Sequence, residues 1–102
     1  GTQRPEEAGG RTEKEVIEKQ LETNIIALYQ NKGKEAMEQT LQLIGLFQDM
    51  TVNCDGENRV DIQKTGIQVL HRLLEAYEKG DILAIADCLE EDGKRFVGIY
   101  YK

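Results

Sequence analysis

One histidine, His71, and two cysteines, Cys54 and Cys88, are the side chains from which nucleophilic or metal chemistry would have to start. A cysteine nucleophile needs a base that accepts its proton. Cys88 meets His71 only if two separate helices align them. Zinc needs three or four Cys and His ligands at a recognisable local spacing, and Cys54, His71 and Cys88 have none. A di-iron site inside a bundle needs two Glu-x-x-His pairs. Here Gln68 stands three residues before the single His71. The chain has neither a Gly-rich phosphate loop nor a nucleophile elbow. These residues predict no enzyme, no metal and no cofactor.

Two further patterns come closer. Asn53-Cys54-Asp55-Gly56 fits the middle of a calcium loop of the EF-hand type. With Gly56 in the sixth position, the twelfth falls on Ile62, where a bidentate acid is required, so a polar interhelical turn is the better reading. His71 lies at or beyond the boundary of an apolar stripe formed by Ile67, Leu70, Leu74 and Tyr77. A surface histidine on a helical bundle resembles histidine phosphotransfer domains, which read His-x-Leu-Lys-Gly. Here the run is His71-Arg72-Leu73-Leu74-Glu75. Leu73 matches, but Glu75 puts a carboxylate one turn from the imidazole, where it repels a phosphoryl donor. Phosphotransfer through His71 is the alternative reading.

Charge is unevenly spread. The net charge is -6, and the window 75–92 carries all of it in Glu75, Glu78, Asp81, Asp87, Glu90, Glu91 and Asp92 against the single base Lys79. No basic stripe exists elsewhere, so the chain is not expected to bind nucleic acid. The acidic window is either a solvated face or a docking surface for a basic partner segment. Residues 1–10 lack the apolar stretch of a secretory signal, and neither cysteine sits in a CxxC pair. Both point to a reducing cytoplasm with free thiols. No apolar run reaches the roughly 20 residues that span a bilayer, so no membrane association is expected.

The elements that carry these residues read as helices. At 102 residues, with 39% hydrophobic and 31% charged side chains, the chain makes one domain. Residues 1–11 read as a mobile, disordered tail and 12–102 as the folded unit. Thr12-Glu13-Lys14-Glu15 is a capping box, followed by Val16, Ile17, Leu21, Ile25 and Leu28 at helical spacing. Asn31-Lys32-Gly33 ends that helix, with Gly33 as the expected left-handed cap. A second helix is expected over 34–50, a loop over 52–58, and a third helix from about residue 58 or 60 to Lys79, closed by Gly80. Asp81 caps a fourth that begins at Ile82. Gly93 lies on the apolar stripe of the fourth helix, which predicts that the helix continues through it. The competing reading makes 95–101 a strand, which would have no partner.

Short connections and similar lengths predict an all-α, antiparallel, up-down four-helix bundle. The expected core is led by Leu21, Ile25, Leu28, Leu41, Ile44, Phe47, Leu70, Leu74, Tyr77, Ile85, Leu89 and Phe96. Gly45, Gly66, Gly93 and Gly98 fall inside helices, where close helix approach would be one reason to keep them. The apolar stripe of the second helix is wider than one core needs, which marks it as a partner or dimer groove.

Two stretches resemble known helical proteins. The run from Tyr29 to Met37 resembles a helical-hairpin turn of small bacterial proteins. The run from Leu74 to Glu90 resembles the last hairpin of a family of largely uncharacterised proteins from Gram-positive bacteria, similar in style to FliS-type flagellar export chaperones. The resemblance implies binding without catalysis, in which a cytoplasmic bundle holds the helical end of an export substrate. The chain departs from that pattern at Glu90-Glu91-Asp92-Gly93-Lys94, and no substrate-contact residue carries over. The leading expectation is a non-catalytic protein-interaction module, a chaperone or adaptor for a helical or basic segment. Phosphotransfer through His71 and a homo-oligomeric structural role are the alternatives, and a homodimer is a further expectation.

Overall fold

Thr12 opens the first helix as a capping box: Glu15 N donates to Thr12 Oγ1 at 3.2 Å, and Thr12 N donates to Glu15 Oε1 at 2.9 Å. The computed structural model describes residues 12–102. The expectation of a disordered tail over 1–11 lies outside the described residues. Four helices follow: α1 (Glu13–Tyr29), α2 (Gly33–Asn53), α3 (Arg59–Lys79) and α4, which covers 82–100. Helix α4 is α-helical over Ile82–Cys88, π-helical over Leu89–Gly93 and α-helical again over Lys94–Tyr100. It passes through Gly93 as expected, and no strand occurs among the described residues. Each helix packs on the next and α1 packs on α4, which closes the ring of an antiparallel up-down bundle.

The turns show where local chemistry was read correctly and where it was not. Gly80 takes the left-handed conformation at φ 65°, and Asp81 N donates back to Ala76 O at 3.0 Å. Asp81 then caps α4 by accepting from Ala84 N at 3.1 Å. After α1 both Asn31 (φ 58°) and Gly33 (φ 42°) take a positive φ, and Asn31 is the one that closes the helix. Asn31 N bonds to Leu28 O and Lys32 N to Ala27 O, a complete Schellman closure, so Gly33 is free to begin α2. The loop after α2 is shorter than expected. Val52 and Asn53 remain helical, because α2 continues until Cys54, whose Sγ lies 3.4 Å from Thr51 O.

Most of the expected core is buried: Leu21, Ile25, Leu28, Ile44, Phe47, Ile85, Leu89 and Phe96. Phe47 and Phe96 meet edge to face at the centre, 5.3 Å between ring centroids. Four expectations fail. Leu41 is 52% exposed, and Leu70, Leu74 and Tyr77 are only half-buried. The buried residues of α3 are Ile62, Gly66, Val69, Leu73 and Ala76, one position away on the wheel, which is a rotation of about 100°. On α2 the inward position is Thr40 rather than Leu41. Thr40 Oγ1 donates to Asn24 Oδ1 at 2.9 Å, and Asn24 Nδ2 donates to Ala36 O at 3.0 Å. This buried polar pair fixes α1 against α2 in one register, since a slip would strand both groups without partners.

Gly66 explains the rotation of α3. A Cβ there would overlap Thr51 Oγ1 and lie 3.0 Å from Phe96 Cε1, so α3 approaches α2 and α4 through a position with no side chain. Gly93 is tight in the same way, with a Cβ 3.3 Å from Leu21 Cδ2, whereas Gly45 and Gly98 open onto empty space.

Two stability outcomes follow from this rotation. Leu73→Ala lowers stability by about 2–5 kcal/mol in chemical denaturation, and Leu74→Ala by clearly less, because only the first opens a cavity in the core. Equal losses would put the outer stripe back in the core. Gly66→Ala destabilises by about 1–3 kcal/mol through overpacking, despite the better helix propensity of Ala. Thr51→Ala in the same chain recovers part of that loss, because it removes the clashing hydroxyl. Additive losses in the double mutant would disprove the contact.

Candidate functional site

The rotation of α3 leaves a second apolar stripe outside the core. Thr51 of α2 and Gly66 of α3 face each other, which identifies the flank of each helix that borders the other. At about 100° per residue, that flank of α2 carries Met37, Leu41 and Val52, and that of α3 carries Ile67, Leu70, Leu74 and Tyr77. The helices are antiparallel, so the start of α2 lies beside the end of α3. Leu41 and Ile67 are 52% and 62% exposed, while Met37, Leu70, Leu74 and Tyr77 are half-buried. An apolar strip, interrupted by Gln48 and Gln63, therefore runs along the outside of the α2–α3 hairpin. Its α2 side belongs to the wide apolar stripe of the second helix, and α3 supplies the other side.

The acidic window does not form one face. Asp92 accepts from Arg72 and from Arg95, tying α4 to α3 and to its own next turn. Glu90 accepts from Lys94 at 2.6 Å, and Lys94 also pairs with Glu22 of α1 at 2.9 Å. Glu90, and then Glu22, hold the ammonium and push its pKa up to about 12. Glu75 lies 3.8 Å from Lys79, and Asp81 is the cap of α4. Glu78, Asp87 and Glu91 are exposed and make no ion pair among the described residues. Much of the charge that stands out in the sequence serves local structure.

His71 is exposed on α3, one turn before Glu75. Cys54 and Cys88 are free thiols and both are buried. Cys88 is 1% exposed, with Sγ 3.8 Å from Val69 O. The inward turn of Val69 draws Cys88 into the α3–α4 contact. Burial pushes the Cys88 thiol up to about 11, against the lowering effect of Arg72, so at neutral pH it is a protonated, shielded thiol. No group of three or more His, Cys, Asp or Glu residues placed to hold a metal ion occurs among the described residues. No described helix is long and apolar enough to cross a membrane. A shallow groove of about 260 Å³ between α1 and α2 is lined by Val16, Gln20, Gln39 and Leu43 among others. Gln39 Oε1 is buried there without a donor among the described residues.

The sequence reading missed Asn24 and Thr40, whose polar types disguise core positions, and the outward turn of Leu41. The small residues Gly66 and Ala76, spaced with Ile62, Val69 and Leu73, were the signal for the inner face of α3. No protein-family model, curated protein or solved structure matches the chain.

Cys88 sets a pH dependence. Its folded pKa lies above its unfolded value, so its contribution to stability is intact below about pH 9 and is lost as the pH rises towards about 11, where the unfolded chain has released the proton and the folded one still holds it. Denaturation midpoints measured across that window fall with pH. The slope is shallower in Cys88→Ala, and an unchanged slope would show that the thiol is solvated.

Proposed function

We propose that this bundle is a non-catalytic protein-interaction module, a chaperone or adaptor that takes an amphipathic helical segment along the outside of the α2–α3 hairpin. The observation that carries this reading is the exposed apolar strip with Leu41 and Ile67 at its crest and Met37, Leu70, Leu74 and Tyr77 along its floor. Two parallel ridges of a helix pair make a groove that accepts a third helix by its i, i+3, i+4 side chains. A face of this kind, with few charges between its ends, marks a contact surface. The likeness of the α3–α4 hairpin sequence to flagellar export chaperones leans the same way. The exposed acids Glu78, Asp87 and Glu91 favour a partner with basic residues at the edge of its apolar face, by steering its approach.

In a labelled sample titrated with amphipathic helical peptides that carry basic flanks, amide shifts group on Leu41, Ile67, Leu70 and Leu74. Leu41→Glu with Ile67→Glu removes those shifts while helical content stays as in the parent. Shifts confined to Glu75, Asp87 and Glu91 would move the site to the α3–α4 edge. Acid-labile phosphate on His71 after incubation with a phosphodonor would replace the reading with phosphotransfer.

A further inference from the structure

The π turn divides α4 into two parts held by different neighbours. We infer that the part after it, from Lys94 to Tyr101, is a strap: hinged at Leu89–Gly93 and fastened to α1 at both ends, it opens as a unit while the rest of the bundle stays folded. Among the described residues, the polar contacts that α4 makes with other helices change sides at the turn. Up to Asp92 they reach α3, where Cys88 Sγ lies 3.8 Å from Val69 O and Arg72 pairs with Asp92. From Lys94 onward they reach α1. Lys94 Nζ pairs with Glu22 at 2.9 Å, and Tyr101 Oη donates to Glu13 Oε1 at 3.0 Å. The first and last residues of the strap are therefore the ones that fasten it.

Between the two fastenings the strap is joined to the core by Phe96 and Val97, both wholly buried. Phe96 meets Phe47 on one side and Tyr100 on the other, and Tyr100 meets Tyr101 with 4.9 Å between ring centroids. A line of aromatic contacts thus runs from the centre of the core to the Tyr101–Glu13 bond, so release at Glu13 loosens the whole line. Three features make the strap separable. Its α-helix is seven residues long, well short of the roughly 12–15 at which a helix begins to stand alone, so it unravels once it leaves the bundle. The π turn interrupts the regular hydrogen-bond ladder where a hinge is needed. Gly98 weakens the helix from within, and a Cβ there meets nothing within 4 Å, so no packing contact calls for a glycine. Opening parts Phe96 from Phe47 and uncovers the centre of the core, while the Asn24–Thr40 contact between α1 and α2 stays closed.

Native-state hydrogen exchange of the full chain in low denaturant tests this, with rates corrected for intrinsic exchange. The amides of Gly98, Ile99 and Tyr100 are expected to share one opening equilibrium, easier than that of the buried α3 amides and less dependent on denaturant. Tyr101→Phe, which removes only the hydroxyl, speeds their exchange at least about threefold. Gly98→Ala slows it about fivefold, a change the fold tolerates because that space is empty. Thr40→Ala breaks the contact with Asn24 and speeds exchange in α3, but leaves the strap unchanged, because the open form keeps that contact. Circular dichroism confirms the fold of each variant. Strap amides that exchange together with α3, or that Thr40→Ala speeds as much as α3, open only when the whole bundle unfolds, which overturns the inference. Rates that climb steadily from Gly98 to Tyr100 show fraying of a helix end and overturn it too. So does indifference to Tyr101→Phe, since the strap is then not fastened at Glu13.

Discussion

The contact of Gly66 with Thr51 and Phe96 sets the arrangement of everything around it. A helix with two apolar stripes can bury either one, and α3 has both: Ile62, Gly66, Val69, Leu73 and Ala76 on one side, Ile67, Leu70, Leu74 and Tyr77 about 100° away. The second stripe has the larger side chains and would bury more area. The first has the shape. Glycine and alanine let α3 come close enough to α2 and α4 for Phe47 and Phe96 to meet at 5.3 Å and for Val69 and Leu73 to be wholly enclosed. Close packing recovers dispersion contacts along the whole length of the helix, and a bulkier face would hold the helices apart.

Two polar contacts refine what that approach begins. Asn24 and Thr40 satisfy one another and the Ala36 carbonyl in a fully buried position, which gives the α1–α2 pair a register that apolar contacts alone leave loose. Between α3 and α4, Arg72 and Asp92 bridge at the rim beside the buried Cys88. The π-helical turn at Leu89–Gly93 sits at this bridge. It brings Gly93 against Leu21 while Leu89 before it and Phe96 and Val97 after it all point inward. An extra residue in a turn is tolerated where the packing on both sides rewards it.

Packing by shape has a surface consequence. The larger apolar stripe of α3 stays at the surface, half-buried at Leu70, Leu74 and Tyr77 and exposed at Ile67, beside Leu41 and Val52 of α2. The acidic window has the opposite fate. Asp81 caps a helix, Asp92 and Glu90 are spent on Arg72, Arg95 and Lys94, and only Glu78, Asp87 and Glu91 remain unengaged among the described residues. A charge cluster in sequence measures local structural need as well as external recognition.

The sequence by itself determined the number, type and approximate limits of the helices, because capping boxes, turn glycines and periodic apolar residues act within a few positions of the chain. Thr12, Gly80 and Asp81 do what their types require, and the passage of α4 through Gly93 follows from the stripe on which it lies. Gly33 takes the positive φ its type allows, and Asn31 before it does the same and closes the helix. Only the tertiary structure decided which face of α3 turns inward, why Thr40 is buried in preference to Leu41, and that Cys88 is sealed off. These depend on the fit between helices far apart in sequence, and a wheel drawn for one helix carries no information about the shape of its neighbour. The candidate surface is legible only after that choice, since it is the stripe the core did not take.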